Sequence, residues 1–425
     1  MAASEHGSLI HDWNAGEYDD LPGVHLNDET LRDGLQSPSV TIPSTTEKIA
    51  ILTLMEELGI EGVNIGLAAA GPWAEEACLA LATEIARSRM KIYPNCAGRT
   101  MVGDIEPIDR VCQKAGIPIE VAMFIGSSEI RQFTEDWSVD QLVRHTETAM
   151  AYCAKNHLPV MYVTEDTTRA RPETIRRLYS TAIQMGAQRI CVSDTVGHAT
   201  PHGAYKLIRF MRDLVKETTG DERSVKIDWH GHRDRGLAIP NALAAYKAGA
   251  DRLHGTALGI GERCGNTELD LMLVNLKLMG KIDRDLHRLK DYCYLVSRAC
   301  RVPIPQNYPV VGSDAFETGT GVHAAAVIKA MRKGDEWLAN RVYSSVPADD
   351  FGLRQRIVVG PMSGRSNVIY WLESRGFEAD DAIVTAIFDA AKKASHALSD
   401  EQIEEVLRVH GQQPQGSAAA DGGEA

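Results

Sequence analysis

His230 and His232 stand two residues apart in IDWHGHRDRGL (227–237), at the end of an apolar run and directly before Arg-Asp-Arg. On an extended strand, residues i and i+2 share a face, so both imidazoles can point to one place. That spacing suits two ligands of one metal ion, or a pair of structural histidines with satisfied hydrogen bonds. Asp33 in NDETLRDGLQ and Asn266 in GIGERCGN would add a carboxylate and an amide oxygen. Such a mixed N/O set fits a six-coordinate divalent ion with open positions, Mn²⁺, Mg²⁺ or Zn²⁺, better than a closed structural zinc. The eight cysteines are scattered without a CxxC pair, and read as reduced thiols.

These residues need a scaffold that brings distant segments together. Short apolar runs at 24–26, 62–67, 90–95, 119–126, 159–165, 189–194, 225–230 and 250–256 alternate with stretches of helical spacing. Eight strand-and-helix units predict an α/β fold, a (β/α)₈ TIM barrel. A doubly wound sheet would want GxGxxG after its first strand, where NDETLRDGLQ stands instead. In such a barrel the site lies at the C-terminal ends of the strands. Read there, the polar residues are Asp28, Thr30, Arg32, Asp33 and Gln36 from strand 1, and Ser127, Ser128 and Arg131 from strand 4. Glu165, Asp166 and Thr168 come from strand 5, Asp194 and Thr195 from strand 6, His230 and His232 from strand 7, and Glu262, Arg263 and Asn266 from the last loop.

Residues 1–20 read as a flexible start, 21–280 as the barrel, 281–410 as a linker and small helical subdomain, and 411–425 as a disordered tail. A net charge of −13 argues against nucleic acid as a partner. No signal peptide or apolar run of membrane-spanning length appears, so a cytoplasmic protein is expected.

NDETLRDGLQSPS, SDTVGHATP, HGHRDRGLA and GIGERCGN, in this order, resemble the metal-dependent barrel family of 2-isopropylmalate, homocitrate and citramalate synthases. The 3-hydroxy-3-methylglutaryl-CoA lyases are more distant relatives. The resemblance implies Asp33, His230 and His232 as metal ligands, with Asn266 weaker or behind them. It implies Arg32 for an enolate oxygen, Thr195 for the substrate carboxylate, and Glu165, His323 and Tyr343 as acid/base candidates. The last two would reach the partner barrel of a homodimer through the C-terminal region. The implied reaction is a Claisen-type condensation of acetyl-CoA, as co-substrate, with a 2-oxo acid. The alternatives are a homocitrate-, citramalate- or phosphonomethylmalate-type synthase, a carbon–carbon lyase, or a barrel that kept its metal site only for binding.

Four departures mark this chain. Asn64 stands where many relatives carry Glu near the end of strand 2, and Arg131 where isopropylmalate synthases carry His. Arg233-Asp234-Arg235 replaces Asn-Asp-Leu, and Met362 stands where His is common. Arginine captures carboxylates bidentately. Arg131, with Arg233 or Arg235, is therefore a candidate for holding a second anionic group of the 2-oxo acid, although Arg233 and Arg235 can equally pair with surface acids; Gln36 and Thr195, the latter by the resemblance, complete the substrate-binding candidates with Arg131 and Arg233. The chain is too short for the leucine-binding regulatory domain of long isopropylmalate synthases, so leucine feedback by that route is not expected.

Overall fold

The computed structural model describes residues 9–412. Residues 1–8 and 413–425, most of the two stretches expected to be flexible, lie outside the described residues. Two compact units divide the chain, one spanning Trp13–Ile304 and the other built on the residues from Pro305 onward.

The first unit is a closed parallel barrel in strand order β1 to β8. Its elements are β1 (His25–Asp28), α1 (Thr45–Glu57), β2 (Gly62–Asn64), α2 (Pro72–Ser88), β3 (Tyr93–Arg99) and α3 (Val102–Ala115). There follow β4 (Glu120–Gly126), α4 (Glu129–Glu135), α5 (Val139–Lys155), β5 (Val160–Glu165), α6 (Pro172–Gln184) and β6 (Arg189–Asp194). The unit ends with α7 (Pro201–Thr219), β7 (Lys226–Gly231), α8 (Ala238–Ala248), β8 (Arg252–Gly255), α9 (Leu269–Leu278) and α10 (Leu289–Cys300). Closure comes from β1 on β8, with Leu26 opposite Leu253 and Asp28 opposite Gly255. Strands of this kind are covered on both faces, which is why VMYV and ICV read as unbroken apolar runs.

The helices begin and end where local chemistry says they should. Ser44 with Glu47 and Ser138 with Gln141 form capping boxes at the starts of α1 and α5. Pro172 and Pro201 occupy first-turn positions that lack a helical acceptor for an N–H.

Three details differ from expectation. The third strand runs 93–99 rather than 90–95, because its C-terminal half, NCAGR, has none of the branched bulk that signals a strand. The barrel unit continues past 280 through α10. The Tyr292 hydroxyl on that helix donates to Asp28 and lies 3.2 Å from Thr30 Oγ1, tying it to the end of β1. Ahead of β1, residues 9–24 carry turns and bends only, yet Tyr18 stacks on Tyr246 at 6.1 Å and Glu17 pairs with Lys247 at 3.0 Å.

The second unit holds β9 (Glu317–Thr318), α11 (Gly321–Arg332), α12 (Glu336–Arg341), β10 (Arg356–Ile357), α13 (Arg365–Ser374), α14 (Asp381–Lys393) and α15 (Asp400–Val409). It is mostly helical, with its own core around Val368, Trp371, Leu372, Ile387 and Leu407. No described helix is long and apolar enough to cross a membrane.

Candidate active site

A cavity of about 380 Å³ opens at the C-terminal ends of the barrel strands. Period-2 alternation fills it in tiers. On β7, Asp228 and His230 face inward, with His232 just beyond the strand, and Arg252 and His254 do the same on β8.

The upper tier is the cluster of Asp33, His230 and His232. Asp33 Oδ2 lies 3.3 Å from His230 Nε2 and 3.5 Å from His232 Nε2, and the two Nε2 atoms are 3.2 Å apart. Asn266 Nδ2 donates to the same carboxylate oxygen at 2.9 Å, while its own Oδ1 is buried without a donor. Amide nitrogen and oxygen are assigned by their partners. Turning the Asn266 amide over would put an oxygen beside the Asp33 carboxylate, which is favourable only with a cation between them. Three converging donor atoms and an orphaned amide oxygen fit a divalent ion. The loop that carries Asn266 is tight. At Gly265, φ is +107° and a Cβ would stand 1.8 Å from the Gly259 carbonyl oxygen.

Below this cluster sits Glu29, buried at the turn after β1. Its Oε2 lies 2.8 Å from both His230 Nδ1 and Arg32 Nη2, and its Oε1 lies 3.1 Å from His254 Nδ1. The carboxylate that faces Arg32 therefore comes from position 29, where Asn64 offers none. His254 passes the chain on, with Nε2 2.8 Å from Asp228 Oδ2. At the floor, Asp228 and Glu120 alternate with Arg252 and Arg189 at 2.6–3.2 Å.

These contacts set the electrostatics. Burial would raise the Glu29 carboxyl, but Arg32, His230 and His254 hold it well below the usual range. Burial works the same way on Asp33, and is again outweighed by Arg32 and His230. Burial opposes a charge on His230, yet Glu29 and Asp33 lift its imidazole to about 9. His232 goes the other way, to about 4, through burial and the charge of His230. One ring nitrogen of His232, Nδ1, is buried without a partner. Glu165 lines the cavity with its pKa raised by burial.

The structure brings Arg32, Asp33, Gln36, Glu165, Thr195, His230 and His232 to this one cavity, with Asn266 bonded to it through Asp33. Arg131 stands in an adjoining outer pocket that shares Glu165 and Thr195. There it pairs with Glu135 at 3.1 Å and lies over the Trp137 ring. Arg233 does not line the cavity. It is held by Glu268 at 2.7 Å and by the Cys264 carbonyl at 2.7 Å, because the chain turns away after His232. Arg235 donates to the His198 carbonyl at 2.8 Å. His323 and Tyr343 belong to the second unit, where their rings stack at 4.2 Å.

Glu29, Asp228, His254 and Arg252 were not among the expected site residues. A usable signal existed for three of them. Counting back by two from His230 gives Asp228, and RLH on strand 8 repeats the same pattern.

Comparison with known proteins gives a consistent result. Residues 23–296 match the HMGL-like family. The homocitrate synthase AksA of Methanopyrus kandleri is 30% identical over 397 residues, covering 92% of this chain and 93% of the relative. The 2-isopropylmalate synthase of Nitratidesulfovibrio vulgaris is 30% identical over 399 residues, covering 90% and 73%. Among solved structures, the HMG-CoA lyase of Bacillus subtilis superposes with a TM-score of 0.55 at 20% identity, over 67% of this chain and 96% of that one. That last likeness is one of fold.

Proposed function

The chain belongs to the HMGL-like family, and from that premise we propose that it is a divalent-metal-dependent acyltransferase of the 2-isopropylmalate synthase kind. It would condense acetyl-CoA with a 2-oxo acid, 2-oxoisovalerate or a more acidic one, to a 2-hydroxy-2-alkyl dicarboxylate and CoA. The observation that carries this reading is the meeting of Asp33, His230 and His232 with Arg32 and Glu165 in one cavity. The relatives at this identity bear synthase names, which weighs against the carbon–carbon lyase alternative.

The bound ion, Mn²⁺, Mg²⁺ or Zn²⁺, would be held by Asp33, His230, His232 and Asn266 and would polarise the ketone of the chelated 2-oxo acid. Every other task falls to the chain. Glu29, bonded to His230 Nδ1, fixes the tautomer that leaves Nε2 free as a ligand. Arg32 is locked between Glu29 and Asp33, and its buried Nε has no acceptor. A donor already in place at low solvent exposure serves a developing enolate oxygen without reorganisation. Glu165, made more basic by burial, would take the proton next to the thioester. The Thr195 hydroxyl accepts the Asp166 N–H at 2.8 Å and keeps its own proton for a substrate carboxylate. His323 and Tyr343 would add acid/base groups from the partner chain of a homodimer.

The test is thiol release from acetyl-CoA with a panel of 2-oxo acids, with and without Mn²⁺. Release with at least one acid, dependent on metal, is expected. His230→Ala should lose bound metal and activity together. Cleavage of a hydroxyacyl-CoA with no release from any acid would overturn the synthase reading.

A further inference from the structure

Of the three arginines considered for a second anionic group, one stands beside the site. Arg233 and Arg235 turn away from it, to Glu268 and to the His198 carbonyl. Arg131 instead lines a pocket of about 230 Å³ with Glu165, Asp166, Arg169 and Thr195. Glu165 and Thr195 also line the barrel cavity, so the two spaces adjoin at the groups proposed for proton transfer and carboxylate binding. The end of β4 is bare where the arginine stem crosses it, since a Cβ at Gly126 would stand 2.5 Å from Arg131 Cγ. The charge reaches Glu165: burial raises that carboxyl, and Arg131 opposes the rise more than Arg32 does.

The other charges of this pocket are matched within it. Arg169 holds both oxygens of Asp166 at 2.7–3.0 Å, and Ser128 donates to the same carboxylate. The hold on Arg131 is weaker. Its ion pair with Glu135, at 3.1 Å, joins side chains 48% and 36% exposed, one turn apart on α4. That helix buries none of its residues. An exposed pair at this spacing contributes little, and less with the cation N-terminal to the acid. The guanidinium also lies over the Trp137 ring, 5.7 Å from its centroid. Stacking of this kind fixes the plane of the fork and leaves its N–H edge open for bidentate capture of an oxyanion.

We propose that Arg131 and its pocket form the subsite for a second oxyanion, a carboxylate or phosphonate carried by the 2-oxo acid. This rests on the synthase reading for the reaction, though not for the binding. The substrate class that follows is an acidic 2-oxo acid. Its second oxyanion displaces Glu135 from Arg131 at the expense of one exposed pair, whereas a branched apolar chain has nothing to offer the guanidinium.

The experiment compares the full chain with Arg131→Gln, Arg131→Lys and Glu135→Gln, all at exposed positions. Thiol release from acetyl-CoA is measured with 2-oxoglutarate, freshly dissolved oxaloacetate and 3-phosphonopyruvate, and with 2-oxoisovalerate as the monoacid. For Arg131→Gln the expected result is a KM at least ~10-fold higher for the preferred diacid, with less than a twofold change for 2-oxoisovalerate. Arg131→Lys should recover only part of the loss, because an ammonium does not make the paired bonds of a guanidinium. Glu135→Gln should lower the diacid KM, since it removes the group that competes for Arg131. Whichever diacid shows the largest ratio identifies the oxyanion and its distance from the ketone. A fall in kcat shared by all four acids at unchanged KM would assign Arg131 to the setting of Glu165 and overturn the subsite. No change in any KM, or release with 2-oxoisovalerate alone, also overturns it. If no acid gives release, the synthase reading fails by itself, and equilibrium dialysis of the three diacids with Mn²⁺ decides the subsite. Tighter binding to the parent than to Arg131→Gln supports it, and equal or absent binding refutes it.

Discussion

Replacing Glu29 with Gln tests the centre of the site. Two donors, Arg32 Nη2 and His230 Nδ1, converge on Oε2 at 2.8 Å, and His254 Nδ1 faces Oε1 at 3.1 Å. A glutamine has one acceptor oxygen, and with its NH₂ at the Oε2 position it would meet the Arg32 and His230 donors. The substitution also leaves buried cations without their counterion. Breaking a buried pair from one side costs about 3–5 kcal/mol. In a unit of this size that corresponds to a Tm lower by roughly 6–15 °C. Loss of the carboxylate behind a metal-ligating histidine weakens metal binding by about 10–100-fold. Urea denaturation and a Mn²⁺ or Zn²⁺ titration of the metal-stripped protein measure the two effects separately. A Glu29→Gln protein with the parent's midpoint and metal affinity would refute the clamp.

Arg233→Ala should loosen the loop from Cys264 to Glu268 and weaken metal binding several-fold through Asn266, leaving the KM for the 2-oxo acid within about twofold. A tenfold rise in that KM at unchanged metal affinity would place Arg233 on the substrate after all. For Asp28, burial raises the carboxyl from 3.8 to about 6 despite its bonds from Thr30 and Tyr292. A raised acid binds its proton more tightly in the folded state, so the stability it lends is full below about pH 4 and is lost as pH climbs through about 6. Relative to Asp28→Asn, the parent should lose on the order of 3 kcal/mol across that window. Urea midpoints measured at intervals from pH 3.5 to 7 would show it, and a constant difference would contradict it.

The barrel was legible because its units repeat, and the upper tier because HxH at a strand end obeys period-2 alternation. The same arithmetic reaches Asp228, one step down β7 from His230, and the like alternation in RLH on β8 reaches His254. Glu29 was not legible. It lies just past the end of β1, where alternation stops, and its orientation depends on the Glu29 N–H bonding to the Gly255 carbonyl at 2.8 Å across the barrel seam. Arg233 stayed open between substrate and surface acids for the same kind of reason, since beyond Gly231 no strand fixes the direction of its side chain.

The stacked tiers have a consequence in electroneutrality. Both ring nitrogens of His230 face carboxylates, Glu29 at Nδ1 and Asp33 at Nε2, and with its imidazole lifted to about 9 the ring counts as a cation before an ion binds. The buried set then holds the carboxylates of Glu29, Asp33, Glu120 and Asp228 against Arg32, Arg189, Arg252 and His230. Four negative charges meet four positive ones before any ion arrives. A divalent cation held by His230 Nε2 would displace that proton, a net gain of one positive charge in this low-dielectric interior. In the proposed reaction, the 2-oxo carboxylate would bring one negative charge to match it. Passing the thioester's proton to Glu165 then only moves charge within the barrel and leaves its net charge unchanged.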